Sequence, residues 1–267
     1  MKTHVLTLYM MAICSRLLSQ SISPYTGAEV DALARITSIS VTSHPVFNNP
    51  AKIPNQNTEA SAGYVWRYGL KELSTNYISG VYTLSNMHIG LGIRQFGSEL
   101  YSEQSIALGT GKEIGVIAIG GTVTTDQISD ELGRRETHIS TNLGVTAQIS
   151  PKIYLGTVIY NIGLSTMEDR IQQRSIAKSG LKYVPFDSFS LLIELEKGID
   201  TPVHWATGAT YTIENKLIFR AGFRPDPYLG SVGFGIKWKG YVFDYALGET
   251  SLLGISHSIN LTKAFGK

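Results

Sequence analysis

The chain has 267 residues, of which 43% are apolar and only 16% charged, with 27 glycines, 14 tyrosines and a formal net charge of +2. Its basic residues are scattered and form no nucleic-acid footprint, and no run of 18 apolar residues exists to make a transmembrane helix. A low charge without such a helix suits a membrane β-barrel, whose lipid face uses every second residue. Composition alone leaves open a secreted, soluble β-sandwich or binding barrel.

Lys2 precedes the short apolar run Val5 to Cys14, the layout of a secretory signal, and small polar residues follow at Ser19 to Ser23. Residues 1–23 are therefore expected to be a signal peptide. Cys14 is the one cysteine. Ile13 before it is too large for a lipidation site, so Cys14 reads as one more apolar leader residue. A mature chain without cysteine has no disulfide framework and no thiolate metal site. Residues 24–59, which include Pro24, Pro45, Pro50 and Pro54, read as a periplasmic or plug-like segment. It is expected to enter the lumen or cap its periplasmic mouth, the alternative being a periplasmic tail.

Residues 60–267 read as the barrel. Alternation is clearest in 139–149, 216–224, 230–239 and 241–249. Val232, Phe234, Ile236 and Trp238, for example, share one face opposite Ser231, Gly233, Gly235 and Lys237. Strands are expected at 60–69, 72–84, 86–98, 101–109, 112–124, 138–149, 152–163, 173–183, 187–197, 203–214, 216–224, 230–239, 241–249 and 255–265, about fourteen in all. Short periplasmic turns are expected at Ser85-Asn86, Thr110-Gly111, Ser150-Pro151, Pro185-Phe186, Glu214-Asn215 and Lys239-Gly240. The longer external connections would be 125–137, 164–172, 198–202, 225–229 and 250–254. The polar face is rich in glycine, which a closed barrel needs for curvature or close packing. Aromatics such as Trp66, Trp205 and Trp238 recur near strand ends, where interfacial girdles place them.

Arg67, Arg94, Glu194, Glu196, Arg220, Arg224, Lys237 and Asp244 fall on the polar faces of their strands. A charge inside a lumen must be paired or hydrated. These side chains are expected to form a salt-bridge lattice, to line a path, or to hold the N-terminal segment. Segments 112–121 and 152–160 are apolar on both faces, which suggests a partly filled lumen. His257 shares a face with Ile255, Ile259 and Leu261 and is expected near the outer interface.

Little else suggests chemistry. Gly109-Thr110-Gly111-Lys112 lacks the spacing and the hydroxyl residue of a phosphate loop and reads as a turn. Histidines 44, 88, 138, 204 and 257 have no ligand-like spacing. His138 with Ser140 is the only nucleophile–base pair to consider, and it has no third group to orient it. No enzymatic activity, metal or cofactor is expected.

The C-terminal third carries a family resemblance. Leu217-Ile218-Phe219-Arg220-Ala221-Gly222-Phe223 and Val232-Gly233-Phe234-Gly235-Ile236-Lys237 precede Phe243-Asp244-Tyr245-Ala246-Leu247 and Leu253-Gly254-Ile255-Ser256-His257. This run resembles the closing strands of the PorV/PorQ outer-membrane barrels, which belong to the FadL-like group and are associated with the type IX secretion system. Phe47-Asn48-Asn49-Pro50-Ala51 resembles the Asn-Pro-Ala element before the first strand of those proteins. The resemblance implies a transmembrane antiparallel barrel of fourteen strands with Asn48, Asn49, Pro50 and Ala51 in a plug-like element. It also implies an accessory role in type IX export or cargo attachment, with translocon components or cargo proteins as partners. The alternative is a FadL-like transporter of small hydrophobic molecules. Either way the protein would sit in the lipid of a Gram-negative outer membrane.

Overall fold

Period-two alternation resolves into fourteen antiparallel strands that close on themselves. The computed structural model describes residues 25–84, 87–163, 175–199, 201–251 and 253–265. The strands are β1 Glu59–Arg67, β2 Leu70–Leu84, β3 Met87–Gly97, β4 Tyr101–Ile114, β5 Ile117–Asp130, β6 Arg135–Ser150 and β7 Ile153–Gly163, followed by β8 Ile176–Phe186, β9 Phe189–Gly198, β10 Val203–Ile213, β11 Leu217–Pro225, β12 Tyr228–Trp238, β13 Tyr241–Thr250 and β14 Gly254–Ala264. Each strand pairs with its sequence neighbours, and β1 pairs with β14 from Glu59↔Ala264 to Trp66↔His257. Closure leaves no edge strand with unpaired backbone groups, the condition for a sheet to stand in hydrocarbon.

The alternation sorts side chains by chemistry. On β11, Leu217, Phe219 and Phe223 are exposed on the outside, whereas Ile218, Arg220 and Arg224 are buried inside. The outward rows are apolar around the barrel, with Ile93, Leu108, Val123, Leu195 and Val232 each about half exposed. β1 begins and β14 ends at one end of the barrel, here termed proximal; the other end is distal. Trp205, Phe223 and Tyr228 stack edge to face near the distal end, and Trp238 and Tyr241 stand at the proximal end.

Turn chemistry explains several connections. Tyr68-Gly69, Glu214-Asn215 and Lys239-Gly240 all have positive φ at both residues, the mirror-image turn whose twist matches a hairpin. Three connections differ most from the sequence expectation. β4 runs through Thr110-Gly111 to Ile114, and the turn falls at Gly115, where φ is +63°. Gly111 is instead an inward position packed under Pro54. The expected external connection 125–137 shrinks to 131–134, because β5 and β6 extend into it. Thr124, Asp126 and Ile128 alternate inward there, with Thr125 and Gln127 outward. Polar residues on both faces hide that alternation in the sequence. Pro185, expected in a turn, lies within β8, where the register with β9 shifts between Tyr183 and Phe186. The leader, the Ser85-Asn86 turn and the connection 164–172 lie outside the described residues.

Candidate functional site: the occupied lumen

Residues 25–56 run through the interior of the barrel. Their regular structure is limited to a four-residue helix, α1 Ala28–Asp31, and a 3₁₀ helix, Pro50–Asn55. Ala28, Val30, Ala34, Ile36, Ala51 and Ile53 are all fully buried. Inward glycines let the segment approach the wall. A Cβ at Gly120 would collide with the carbonyl of Pro50, one at Gly156 with the carbonyl of Ser38, and one at Gly222 with the backbone of Leu33 and Ala34. Gly92 under the Phe47 ring, Gly180 under Ser38 Oγ and Gly233 under Ala32 Cβ extend this track around the lumen, there against side chains of the segment.

The resembling motif sits at the crossings of this segment. Asn48 ties its two halves, accepting from Thr26 N at 2.9 Å and donating to Thr26 O at 2.7 Å and Thr42 Oγ1 at 2.5 Å. Asn49 accepts from Ala51 N at 3.0 Å, capping the 3₁₀ helix. The same side chain donates to Ser38 O at 2.6 Å. Pro50 occupies the first turn, where its missing N–H costs nothing, and its carbonyl lies against Gly120 on β5.

Several charges inside the barrel are paired, and one cluster grips the segment. Glu194 on β9 accepts three hydrogen bonds at a single oxygen: from Thr37 N at 2.8 Å, Ser38 N at 2.7 Å and Ser38 Oγ at 2.6 Å. Lys178 on β8, fully buried, lies 3.2 Å from Glu194 and 3.0 Å from Glu196, and donates to Arg35 O at 3.0 Å. Arg224 closes the cluster on Glu196 at 2.9 Å. Tyr25 lies beside it, with Lys178 Nζ 4.5 Å from its ring centroid. Elsewhere Arg94 approaches Asp126 at 3.9 Å and stacks on Phe47, and Arg220 donates to Asp244 at 2.7 Å. Arg67 donates to Thr75 Oγ1 at 2.5 Å. Lys237 stands at the exposed proximal end of β12.

Lys178 is absent from the sequence-derived set, although it completes the tightest cluster. Parity could have found it: it faces Glu196 across the β8–β9 ladder and lies two residues from Gly180, on the same face. His44 is a second such residue. It lies between Ser79 Oγ on β2, at 2.6 Å from Nδ1, and Asn260 Oδ1 on β14, at 2.8 Å from Nε2, edge-on to Tyr77. Burial drives its imidazole down to about 4, against the opposing pull of the Asn260 hydrogen bond and Asp244. It is therefore neutral at ordinary pH. His138 and Ser140 both lie on the inward, buried face of β6. His257 faces outward near the distal end, bonded through Nδ1 to Tyr245 at 2.9 Å.

Proximal to the segment lies a cavity of about 340 Å³. Leu33, Leu192, Ile218 and Val242 supply its apolar wall, and Glu29, Glu59, Lys182 and Lys237 its polar one. The inward apolar residues of 152–160 do not line it. Val158 and Tyr160 are buried against the segment, and Tyr160 donates to Thr37 Oγ1 at 2.8 Å.

No protein-family model and no curated protein matches the chain. Solved structures do. The toluene transporter TodX of Pseudomonas putida shares 12% sequence identity, with 90% of this chain and 98% of that one covered, at a TM-score of 0.71. A monoaromatic hydrocarbon channel, CymD, shares 14% over 90% and 98% of the two chains, at 0.68. At these identities the likeness establishes a shared fourteen-stranded barrel fold. Neither match bears on PorV/PorQ proteins or type IX secretion.

Proposed function

We propose that the protein is an outer-membrane channel for small hydrophobic molecules, with residues 25–56 as its luminal plug. The observation that carries this reading is a barrel shaped like two hydrocarbon channels along nearly its whole length and occupied by its own N-terminal segment. The apolar outer belt, with aromatics near both ends, supports a bilayer setting, and the proximal end would then face the periplasm. The cavity of about 340 Å³ lies within the range of small-molecule sites and has one apolar wall, formed by Leu33, Leu192, Ile218 and Val242. A hydrophobic solute entering from the outside would pass the plug and reach this cavity before release.

A role in type IX export or cargo attachment, implied by the sequence resemblance, has no structural observation in its favour. The transport reading is put forward in its place. Uptake of radiolabelled toluene by Gram-negative cells with and without the protein tests it. Faster accumulation in the expressing cells is expected. Equal accumulation, with the barrel present in the outer-membrane fraction, would overturn the reading.

A further inference from the structure

A row of carboxamides crosses the outside of four consecutive strands. Asn76 on β2 stands opposite Gln95 on β3, Gln95 opposite Gln104 on β4, and Gln104 opposite Gln127 on β5. Their strand neighbours Thr75, Arg94, Ser105 and Asp126 are buried on the inner face, so the four amides belong to the outer one. The next outward row in the proximal direction is Ile78, Ile93, Ile106 and Thr125, whose isoleucines are 53% to 57% exposed. The surface passes from hydrocarbon-like to hydrogen-bonding within one row.

Its height locates that boundary. Asn76 and Gln95 stand 8 residues from the proximal ends Leu84 and Met87, and Gln104 and Gln127 stand 10 from Ile114 and Ile117. With a rise of about 3.3 Å per residue and a tilt of about 40°, this is roughly 20–25 Å along the membrane normal, the height of a barrel's apolar band. Trp205 on β10 is likewise 8 residues from its proximal end, and Tyr228 on β12 is 10. Aromatics thus mark the distal boundary on one side of the barrel, and amides replace them on the other.

We propose that the Asn76–Gln95–Gln104–Gln127 strip docks the sugar headgroup of a glycolipid in the distal leaflet. The inference rests on the membrane reading above. Each carboxamide both donates and accepts, which suits the hydroxyl and amide groups of a sugar headgroup. On β1, Tyr64 pairs with Asn76 at the end of the row, and Trp66, 46% exposed and one outward row distal to Tyr64, offers a flat face for a sugar ring. Acyl chains would cover the isoleucine row beneath, leaving the amides level with headgroups. Under the proposed orientation this leaflet is the external one, and the glycolipid class is lipopolysaccharide.

The test reconstitutes the full chain into phosphatidylethanolamine/phosphatidylglycerol vesicles with and without lipopolysaccharide, then measures lipopolysaccharide retained after detergent extraction and gel filtration. Gln95→Leu/Gln104→Leu places apolar side chains on a lipid face, so folding should survive; heat-modifiable migration on a gel checks it. Thr157→Val/Ser179→Val, at an outward hydrogen-bonded pair on β7 and β8, is the control. Retention should fall about tenfold in the glutamine variant, for two neutral hydrogen bonds lost, and stay at the wild-type level in the control. Equal retention in all three proteins would overturn the strip alone. A change of oligomeric state in the glutamine variant with unchanged retention would overturn it in favour of a second copy. Failure of the wild type to insert in either vesicle would refute the membrane reading itself.

Discussion

One carboxylate oxygen of Glu194 accepts both the backbone N–H and the hydroxyl of Ser38, at 2.7 Å and 2.6 Å, although the two residues are 156 positions apart. Those bonds, with the one from Thr37 N, fasten the chain inside the barrel to its wall. Lys178 neutralises the same carboxylate from the neighbouring strand. Glu194→Ala would leave Lys178 with Glu196 alone and two buried N–H groups without an acceptor. A loss of about 3 kcal/mol or more is expected, as for other broken buried pairs. Limited proteolysis should then cut within residues 35–40, which the folded wild type protects. Glu194→Gln keeps one acceptor and should fall between the two.

Adjacent glycines on β5 separate packing inside the barrel from packing outside. A side chain at Gly120 meets the Pro50 carbonyl, whereas the nearest atom to one at Gly121 is the Leu143 side chain, at 3.3 Å. Gly120→Val is expected to displace the 3₁₀ helix while leaving the barrel heat-modifiable, and Gly121→Val to be tolerated. Protease access to residues 46–56 distinguishes the two variants. Equal protection in both would place the segment elsewhere than under β5.

These two glycines also show how far the sequence could be read. Period two was visible wherever one face was apolar, so the strands and their inner faces were legible in β6 and from β11 to β13. Glycines on the inner face were visible as well, but their cause was not. They serve a segment with only a four-residue α-helix and a six-residue 3₁₀ helix, whose path leaves no periodic trace. Gly111 therefore read as a turn residue although it packs under Pro54. Inward charges could be identified by parity, but their partners depend on register across strands far apart in sequence. Arg224 reaches Glu196 over two intervening ladders, and Lys178 was missed because its strand alternates weakly.

His44 supplies a pH dependence of known sign. Its imidazole is held at about 4 in the folded protein, against 6.5 when free. The folded value is the lower one, so the contribution is complete above pH 6.5 and is lost as pH falls toward 4. The shift corresponds to about 3 kcal/mol at most. Urea titrations monitoring protease access to the segment should show its release at progressively lower urea between those pH values. His44→Gln should flatten that part of the profile. A wild-type profile flat down to pH 4 would mean that His44 does not occupy the dry site between Ser79 and Asn260.

The central claim is that the chain's own segment sits in the lumen and controls passage through it. Ser38 and Gly180 provide a direct test: a Cβ at Gly180 would lie 2.5 Å from Ser38 Oγ, close enough for a disulfide between the two positions. Cys14, in the expected leader, is the only natural cysteine. Toluene uptake should be compared in cells carrying Ser38→Cys/Gly180→Cys, oxidised and then reduced. The account predicts that the disulfide forms, that uptake drops when it does, and that reduction restores it. A disulfide that never forms, or uptake that is the same in both states, would contradict the account.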